Sequence, residues 1–321
     1  MPIQSALALI GLAKQTAKGS AEAAPTFANG LTGGAVVSVD VAQSLNDQTS
    51  GSRMSGAVNR ESVMPAVDYQ TRMTPKSIGA MLHGALGSVA TSGAGPYTHV
   101  ITPADDVPYY TAFGKLGANI YSVQDVKIDS LGFSFEQANP IEISASGMGT
   151  VIGFPATFTA SVDESAASYL DTAAGTFKLD VDSGTPVVAS IRSGSISIAN
   201  NLNQIQLAGS ISPSDIMVGR QEIECSFELI PENLNDWRTV VTGSSAGTTA
   251  SADPVYGSFE ITFSDGTNSV KLEALRVAFT VDFPDADPAG GQVVLTLAGL
   301  VVKPSGGAAL TATVINSQAT Y

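Results

Sequence analysis

Residues 222–243 read Glu-Ile-Glu-Cys-Ser-Phe-Glu-Leu-Ile-Pro-Glu-Asn-Leu-Asn-Asp-Trp-Arg-Thr-Val-Val-Thr-Gly, and this stretch decides the fold because the chain carries its pattern twice. It opens as an alternating strand, with Ile223, Cys225, Phe227 and Leu229 on one face and Glu222, Glu224, Ser226 and Glu228 on the other. Pro231 is expected to start a helix, where its fixed φ suits the first position. Leu234, Trp237 and Val241 then recur at helical spacing, and Gly243 ends the helix. Moving back 156 positions (231 − 75) gives the same order. Val67, Tyr69, Thr71 and Met73 point inward, and Ala66, Asp68, Gln70 and Arg72 point outward. Pro75 matches Pro231, with Thr74 as the expected N-cap. Ile78, Met81, Ala85 and Gly87 match Leu234, Trp237, Val241 and Gly243. A run of small residues follows each helix, 87–96 and 243–254.

The correspondence continues with slightly shorter loops. Residues 126–136 end in Phe-Ser-Phe-Glu and residues 275–282 in Phe-Thr-Val-Asp. Ile-Glu-Ile-Ser-Ala-Ser-Gly, ending at Gly147, answers Val-Val-Leu-Thr-Leu-Ala-Gly, ending at Gly299, an offset of 299 − 147 = 152. The expectation is a duplicated strand–helix–strand–strand unit, divided at Phe154-Pro155 into domains 1–154 and 155–321. The competing reading is one large sheet protein in which amphipathic elements recur.

With 321 residues, two domains of ordinary size fit. Charged residues are only 14% and Gly numbers 32, a composition of β-structure with many turns. A net charge of −14 disfavours binding nucleic acid through phosphate neutralisation. The single cysteine, Cys225, excludes an intrachain disulfide and lies on the apolar face of its strand, as a buried small hydrophobe would. No apolar run approaches the roughly 18 residues of a membrane-spanning helix. Residues 3–13 are apolar, but Lys14 and Lys18 follow them instead of preceding them, the wrong order for a secretion signal. The chain therefore reads as a soluble product of the cytoplasm.

In chain order, residues 1–34 read as an arm and residues 35–41 as a short strand. The polar loop Ala42–Ser62 precedes the first repeated strand. A strand is expected over 97–102, irregular chain over 103–117, and a long hairpin from 119–136 and 141–151 around Asn139-Pro140. Strands over 156–162 and 176–181 are expected to pair, and 187–199 is a strand with a bulge at Gly194. The loop Asn200–Gly219 matches Ala42–Ser62 in position. Residues 309–316 read as an added edge strand. Loops of this length in a compact domain are usually functional.

Chemistry is sparse. Of two histidines, His83 falls off the apolar stripe of its helix and is expected in solvent, and His99 lies in a short strand. Asp180, Asp182 and Gly184, and Asp282, Asp285 and Asp287 near Gly290, lack the spacing and terminal Glu of an EF-hand, so turn chemistry explains them. The Gly-rich segment at 93–96 joins no strand to a helix and is no phosphate loop. Neither an enzyme nor a cofactor is expected.

Several stretches together resemble the tail tube (major tail) proteins of phages with long, non-contractile tails. They are residues 11–26, although Gln15 stands where glutamate is expected; Arg60-Glu61-Ser62; the helix at 77–87; and Gly95-Pro-Tyr-Thr-His-Val-Ile-Thr-Pro103. In the second half they are 195–202, 211–223, Gly-Gly-Gln-Val-Val-Leu-Thr-Leu-Ala-Gly ending at Gly299, and Val314-Ile-Asn-Ser. The resemblance implies two β-sandwich or β-barrel-like domains, each with one flanking helix, in a virion tail assembled in the host cytoplasm. It also implies stacked rings around a DNA channel, with the chain itself, the tape measure, the tail terminator and the distal tail protein as partners and no membrane. Glu222, Glu224 and Glu228, with Asp68, are then expected to line the channel, and the loops Ala42–Ser62 and Asn200–Gly219 to join rings. Two repeats per chain would close a ring as a homotrimer of pseudo-sixfold symmetry. A cell-surface or pilus-like adhesin, or a capsid-decorating or baseplate protein, stays open.

Overall fold

The computed structural model describes residues 8–34, 36–45, 57–155, 157–160, 170–182, 184–284 and 293–321. The protein is mainly β. In the first half the strands are β1 (Ala8–Lys14), β2 (Phe27–Gly30), β3 (Ser38–Leu45) and β4 (Val58–Arg72), followed by helix α1 (Ser77–Leu86). Then come β5 (Gly87–Ser92), β6 (Tyr97–Pro103), β7 (Tyr110–Leu116), β8 (Asn119–Glu136), β9 (Glu142–Met148) and β10 (Val151–Gly153). The second half holds β11 (Thr176–Asp180), β12 (Val187–Val188), β13 (Ile191–Ala199), β14 (Asn203–Ile205), β15 (Asp215–Met217) and β16 (Glu222–Leu229). Helix α2 (Asn235–Thr242), β17 (Tyr256–Ser264), β18 (Ser269–Val281), β19 (Leu295–Val301) and β20 (Thr311–Asn316) complete it.

Two long strands organise the layers, because each belongs to two sheets. The first part of β8 pairs with β7 and β10, and its second part pairs with β9. Likewise β18 begins between β17 and β20 and ends against β19. The outer sheets are β2-β1-β7-β8-β10 and β12-β11-β17-β18-β20-β6-β5. The inner strands run β3-β4-β9-β8 and β13-β16-β19-β18, the same order in both halves. Between the layers lies an apolar core, and the alternation read from the sequence is the alternation of burial: Val67, Tyr69, Ile223, Cys225, Phe227 and Leu229 are all buried.

The helices end where glycine was expected. Gly87 and Gly243 both have positive φ, 101° and 82°, and each N–H bonds back into its helix. Their starts lie later than expected, at Ser77 and Asn235 rather than at the prolines. Thr74 caps nothing with its side chain, because its hydroxyl is engaged by Asn29 and Ser77. Leu234 lies outside α2 and is exposed.

Other expectations are corrected. Residues 8–14 and 27–30 are no arm: Ile10, Leu12 and Phe27 join the core, and β1 is zipped along β7 from Ala8 to Lys14. The run after α1 forms β5, and β7 occupies part of the segment read as irregular. The strand expected over 35–41 is β3, which starts at Ser38 and continues to Leu45. β11 pairs with β12 and β17, and residues 157–160 form no strand; Ala156 and residues 161–169 lie outside the described residues. The shift in register falls between Ile191 and Ser193, not at Gly194. β20 is no edge strand, since it pairs with β18 on one side and β6 on the other. The aspartates at 285 and 287 lie outside the described residues.

His83 is also not in solvent. All ten residues of α1 are buried, and the imidazole Nδ1 lies 3.1 Å from the Tyr110 hydroxyl. Burial, helped by the nearby Lys14, lowers its pKa to about 4. The unfolded chain, with its histidine near 6.5, binds this proton first, so the contribution is complete above pH 6.5 and is lost as pH falls toward 4. It amounts to about 2 kcal/mol after allowance for residual hydration. Thermal melts at pH 7 and pH 4.5 should therefore diverge less for His83→Gln than for the parent protein; equal pH dependence would refute the assignment.

Candidate functional site

The two inner runs of four strands are not separate. β8 pairs with β13 from Ser130↔Ala199 to Glu136↔Ser193, giving one eight-stranded sheet, β3-β4-β9-β8-β13-β16-β19-β18. Backbone pairing keeps opposed residues on one face, so rows of side chains can be followed across the sheet. One row runs Asp68, Ser146, Ser130, Ala199, Glu222. The next runs Gln70, Ser144, Gly132, Ser197, Glu224, Leu300. A third joins Arg72, Glu142, Ser134, Ser195, Ser226 and Ala298, and a fourth Glu136, Ser193, Glu228 and Thr296.

Asp68, Glu222, Glu224 and Glu228, which lie in different halves of the sequence, thus share one face of one sheet. The centre of that face carries small hydroxyl side chains rather than bulky ones. Ser130 and Ser146 hydroxyls lie 2.8 Å apart, and the Ser193 hydroxyl donates to Glu228 at 2.7 Å. Glu136 and Glu142 add acidity that the sequence reading did not assign to the face, and Arg72 is a cation on it. Behind it, Cys225 is buried, and burial pushes its thiol up to about 12, far from a reactive thiolate.

The sequence did not mark the residues that join the halves as a join: it made Asn200 the first residue of a ring-stacking loop and Gly194 a bulge. Asn200 is buried at the β8–β13 join and donates from Nδ2 to the carbonyls of Ala85, at the end of α1, and Ile128, at 3.0 and 2.8 Å. Gln221 reinforces it, donating to Ala85 O and Asn200 Oδ1. On the core side, Phe135 of β8 enters the aromatic group of the second half, with ring centroids 5.2 Å from Phe177 and 5.6 Å from Phe263. Gly194 makes room: a Cβ there would stand 2.6 Å from Phe135 and 2.8 Å from Phe227. The Asn-Asn pair at 200–201 after an alternating strand was the available signal.

Both candidate loops leave the same end of this sheet. Ala42 and Ser62 are register partners in the β3–β4 hairpin, whose residues 46–56 lie outside the described residues. Asn200 and Gly219 close the other loop through a 3.0 Å backbone bond, and β14 and β15 pair within it. Both segments are therefore strand-bearing rather than irregular. The strand leaving the first loop touches the second, since Val63 N, one residue past Ser62, donates to Ile211 O at 2.7 Å.

Among the described residues no group of three or more His, Cys, Asp or Glu side chains is placed to hold a metal ion, and no helix is long and apolar enough to cross a membrane. Set beside known families, residues 5–314 match the one described as phage tail tube protein. The chain belongs to that family. No curated protein matches it. Family membership makes it a structural component of a virion tail that assembles with itself and with other tail proteins.

Removing the join's polar contacts tests how much the sheet depends on them. Asn200→Ala leaves two buried carbonyls without this donor, a loss of roughly 2–4 kcal/mol. The midpoint of urea unfolding should drop accordingly, and an unchanged midpoint would show that the join does not need Asn200.

Proposed function

We propose that this chain is the repeating subunit of the tail tube of a phage with a long, non-contractile tail, and that three chains close each ring around a DNA channel. In this reading residues 1–154 and 155–321 are two copies of one tube domain. The observation that carries it is the β8–β13 pairing, which splices two four-stranded units of identical order into one sheet. A join of this kind can be repeated between chains. The free edges would be β3, with the chain just before it, and the end of β18. Thr280↔Ala298 corresponds to Ser130↔Ser146, an offset of 280 − 130 = 150 rather than the 282 − 136 = 146 expected from the two phenylalanine-containing endings, so the end of β8 at Glu136 corresponds to position 286. β18 ends at Val281, and of the five positions up to 286 the described ones, 282–284, form no strand. A neighbouring chain would complete that strand, and three such head-to-tail contacts would close the ring without a free edge.

The shared polar face becomes the channel wall. Carboxylates set among serines repel phosphate and outnumber Arg72, the cation that shares the face, while the wall itself stays hydrated. The two loops, projecting from one end of the sheet, carry contacts to the next ring, and the tape measure, tail terminator and distal tail protein meet the tube at its interior and ends.

Electron microscopy of the purified protein is the direct test. Uniform hollow rods whose reconstruction shows threefold rings, with alternate domains differing in their loops, are expected; sixfold equivalence of whole chains would rule out the duplicated-domain ring. Replacing Glu222, Glu224 and Glu228 together by lysine should leave the rods intact but make them retain DNA at low salt and release it as salt rises. Rods of the triple variant that retain none would remove these residues from the wall. Replacing residues 46–56 or 203–217 by a short Gly-Ser turn should give folded protein that no longer forms rods, and normal rods would refute the stacking role.

A further inference from the structure

The two helices hold equivalent places in the repeat but not equivalent surroundings. α1 is buried along its whole length at the join between the halves. Its last turn receives Asn200 and Gln221, and Tyr321 packs against its first turn at Gly79 and donates to Lys76 O at 2.7 Å. α2 buries only Thr239. Leu234 is 39% exposed beside it, and Phe283, whose ring meets Trp237 edge-on at 5.0 Å, is 62% exposed. The position of Phe283 in the first half (283 − 150) belongs to Phe133, which is 1% exposed because β13 lies beside it.

The repeat also says what should stand opposite. Ala199 faces Glu222 as Ser38 faces Ala66, and 222 − 66 is the repeat offset of 156, so the residue in the place of Asn200 is Val39. By the same offset Ala85, the target of Asn200, corresponds to Val241. Val39 and its same-face neighbour Val41 are 36% and 39% exposed on strand β3. An exposed apolar pair thus sits on one side of the chain and a half-buried apolar flank, with Phe283 exposed at its rim, on the other, at the two places that the internal join brings together.

We infer that the flank of α2 formed by Trp237, Val241 and Phe283 is the seat for Val39 and Val41 of a second copy of this chain. The contact between chains is apolar where the contact within the chain is a hydrogen-bonded asparagine. The inference rests on the head-to-tail ring proposed above. It would let a chain fold alone, with its internal join held by directional bonds, and associate through surface that water covers until the neighbour arrives.

The test uses Val39→Cys and Val241→Cys together in a Cys225→Ser background, treated with a short bis-maleimide after rods have formed. A ladder in denaturing gels that stops at three chains is expected, with neither single-cysteine protein giving it. In parallel, the emission of Trp237, the only tryptophan, should shift to the blue on assembly. Val39→Asp with Val41→Asp should keep the circular dichroism of the parent yet form no rods and show no shift. Rods that form with neither cross-link nor shift would overturn the seat while leaving the ring intact. Failure of the parent protein to form rods would overturn the ring and the seat with it.

Discussion

Seven consecutive residue pairs between β8 and β13 are the constraint on which the rest of this structure depends. A register error of one residue would turn every serine of β13 into the core and every isoleucine out of it. Three features hold the register. Ile196 and Ile198 must face inward, Phe135 must find the gap above Gly194, and Asn200 must reach the end of α1. The aromatic contacts contribute packing of about 0.5–1.5 kcal/mol per pair beyond area burial. The asparagine contributes direction, because a buried donor displaced from its carbonyls costs more than the bond is worth in place.

From that join the layers follow. β8 is long enough to serve as an outer strand at its start and an inner strand at its end, and β18 repeats the arrangement. Register shifts interrupt both strands at the crossing, between Ile128 and Ser130 in one and opposite Gly257 and Phe259 in the other, which is where a strand bends to change sheets. Side chains on the inner sheet then divide cleanly. One face is the aromatic and aliphatic core; the other is a plain mostly of serine, other small residues and carboxylate, with Arg72 and the exposed Leu300 upon it. Under the proposed closure that plain is concave and continuous. Small hydroxyl side chains suit such a wall because they hydrogen-bond locally and project little.

Much of this was legible in residues 222–243 and their counterpart. Alternation with period two gave both faces of β4 and β16 correctly, since one face is core and the other is water. Long alternating runs also made the β8–β9 hairpin readable. Where both faces are covered, the pattern disappears. Ala8–Lys14 and Tyr110–Leu116 lie side by side with burial on each face, so Ala-Leu-Ile-Gly-Leu-Ala-Lys shows no alternation and read as an arm. α1 fails for the same reason: with every residue buried, an apolar stripe is no guide, and His83 falls opposite Tyr110 rather than in water. The shared face of Asp68 and Glu222 could be paired by repeat but not by contact. Their alignment passes through Ser130, Ser146 and Ala199, and only the β8–β13 register, a pairing between strands more than fifty residues apart, brings it about.

The same asymmetry of information bears on assembly. In the proposed ring, a chain with two copies of one unit has one join made by covalent connection and another that must wait for a partner. The first can use buried, directional hydrogen bonds, because its two sides are always present together and the donors are never left dry and unpaired. The second has to remain tolerable to water while open. An open sheet edge of regular, flat strand would invite pairing with any chain at hand. Here the regular pairing of β18 ends at Val281, and on the opposite side the β3–β4 ladder carries a register shift between Ala42 and Gln43. A small exposed apolar group such as Val39 with Val41, or Phe283 against Trp237, is compatible with that state, whereas an unpaired buried amide would not be. Under the proposed ring, the difference between Asn200 and Val39 at corresponding positions is what a duplicated subunit requires if it is to fold first and polymerise second.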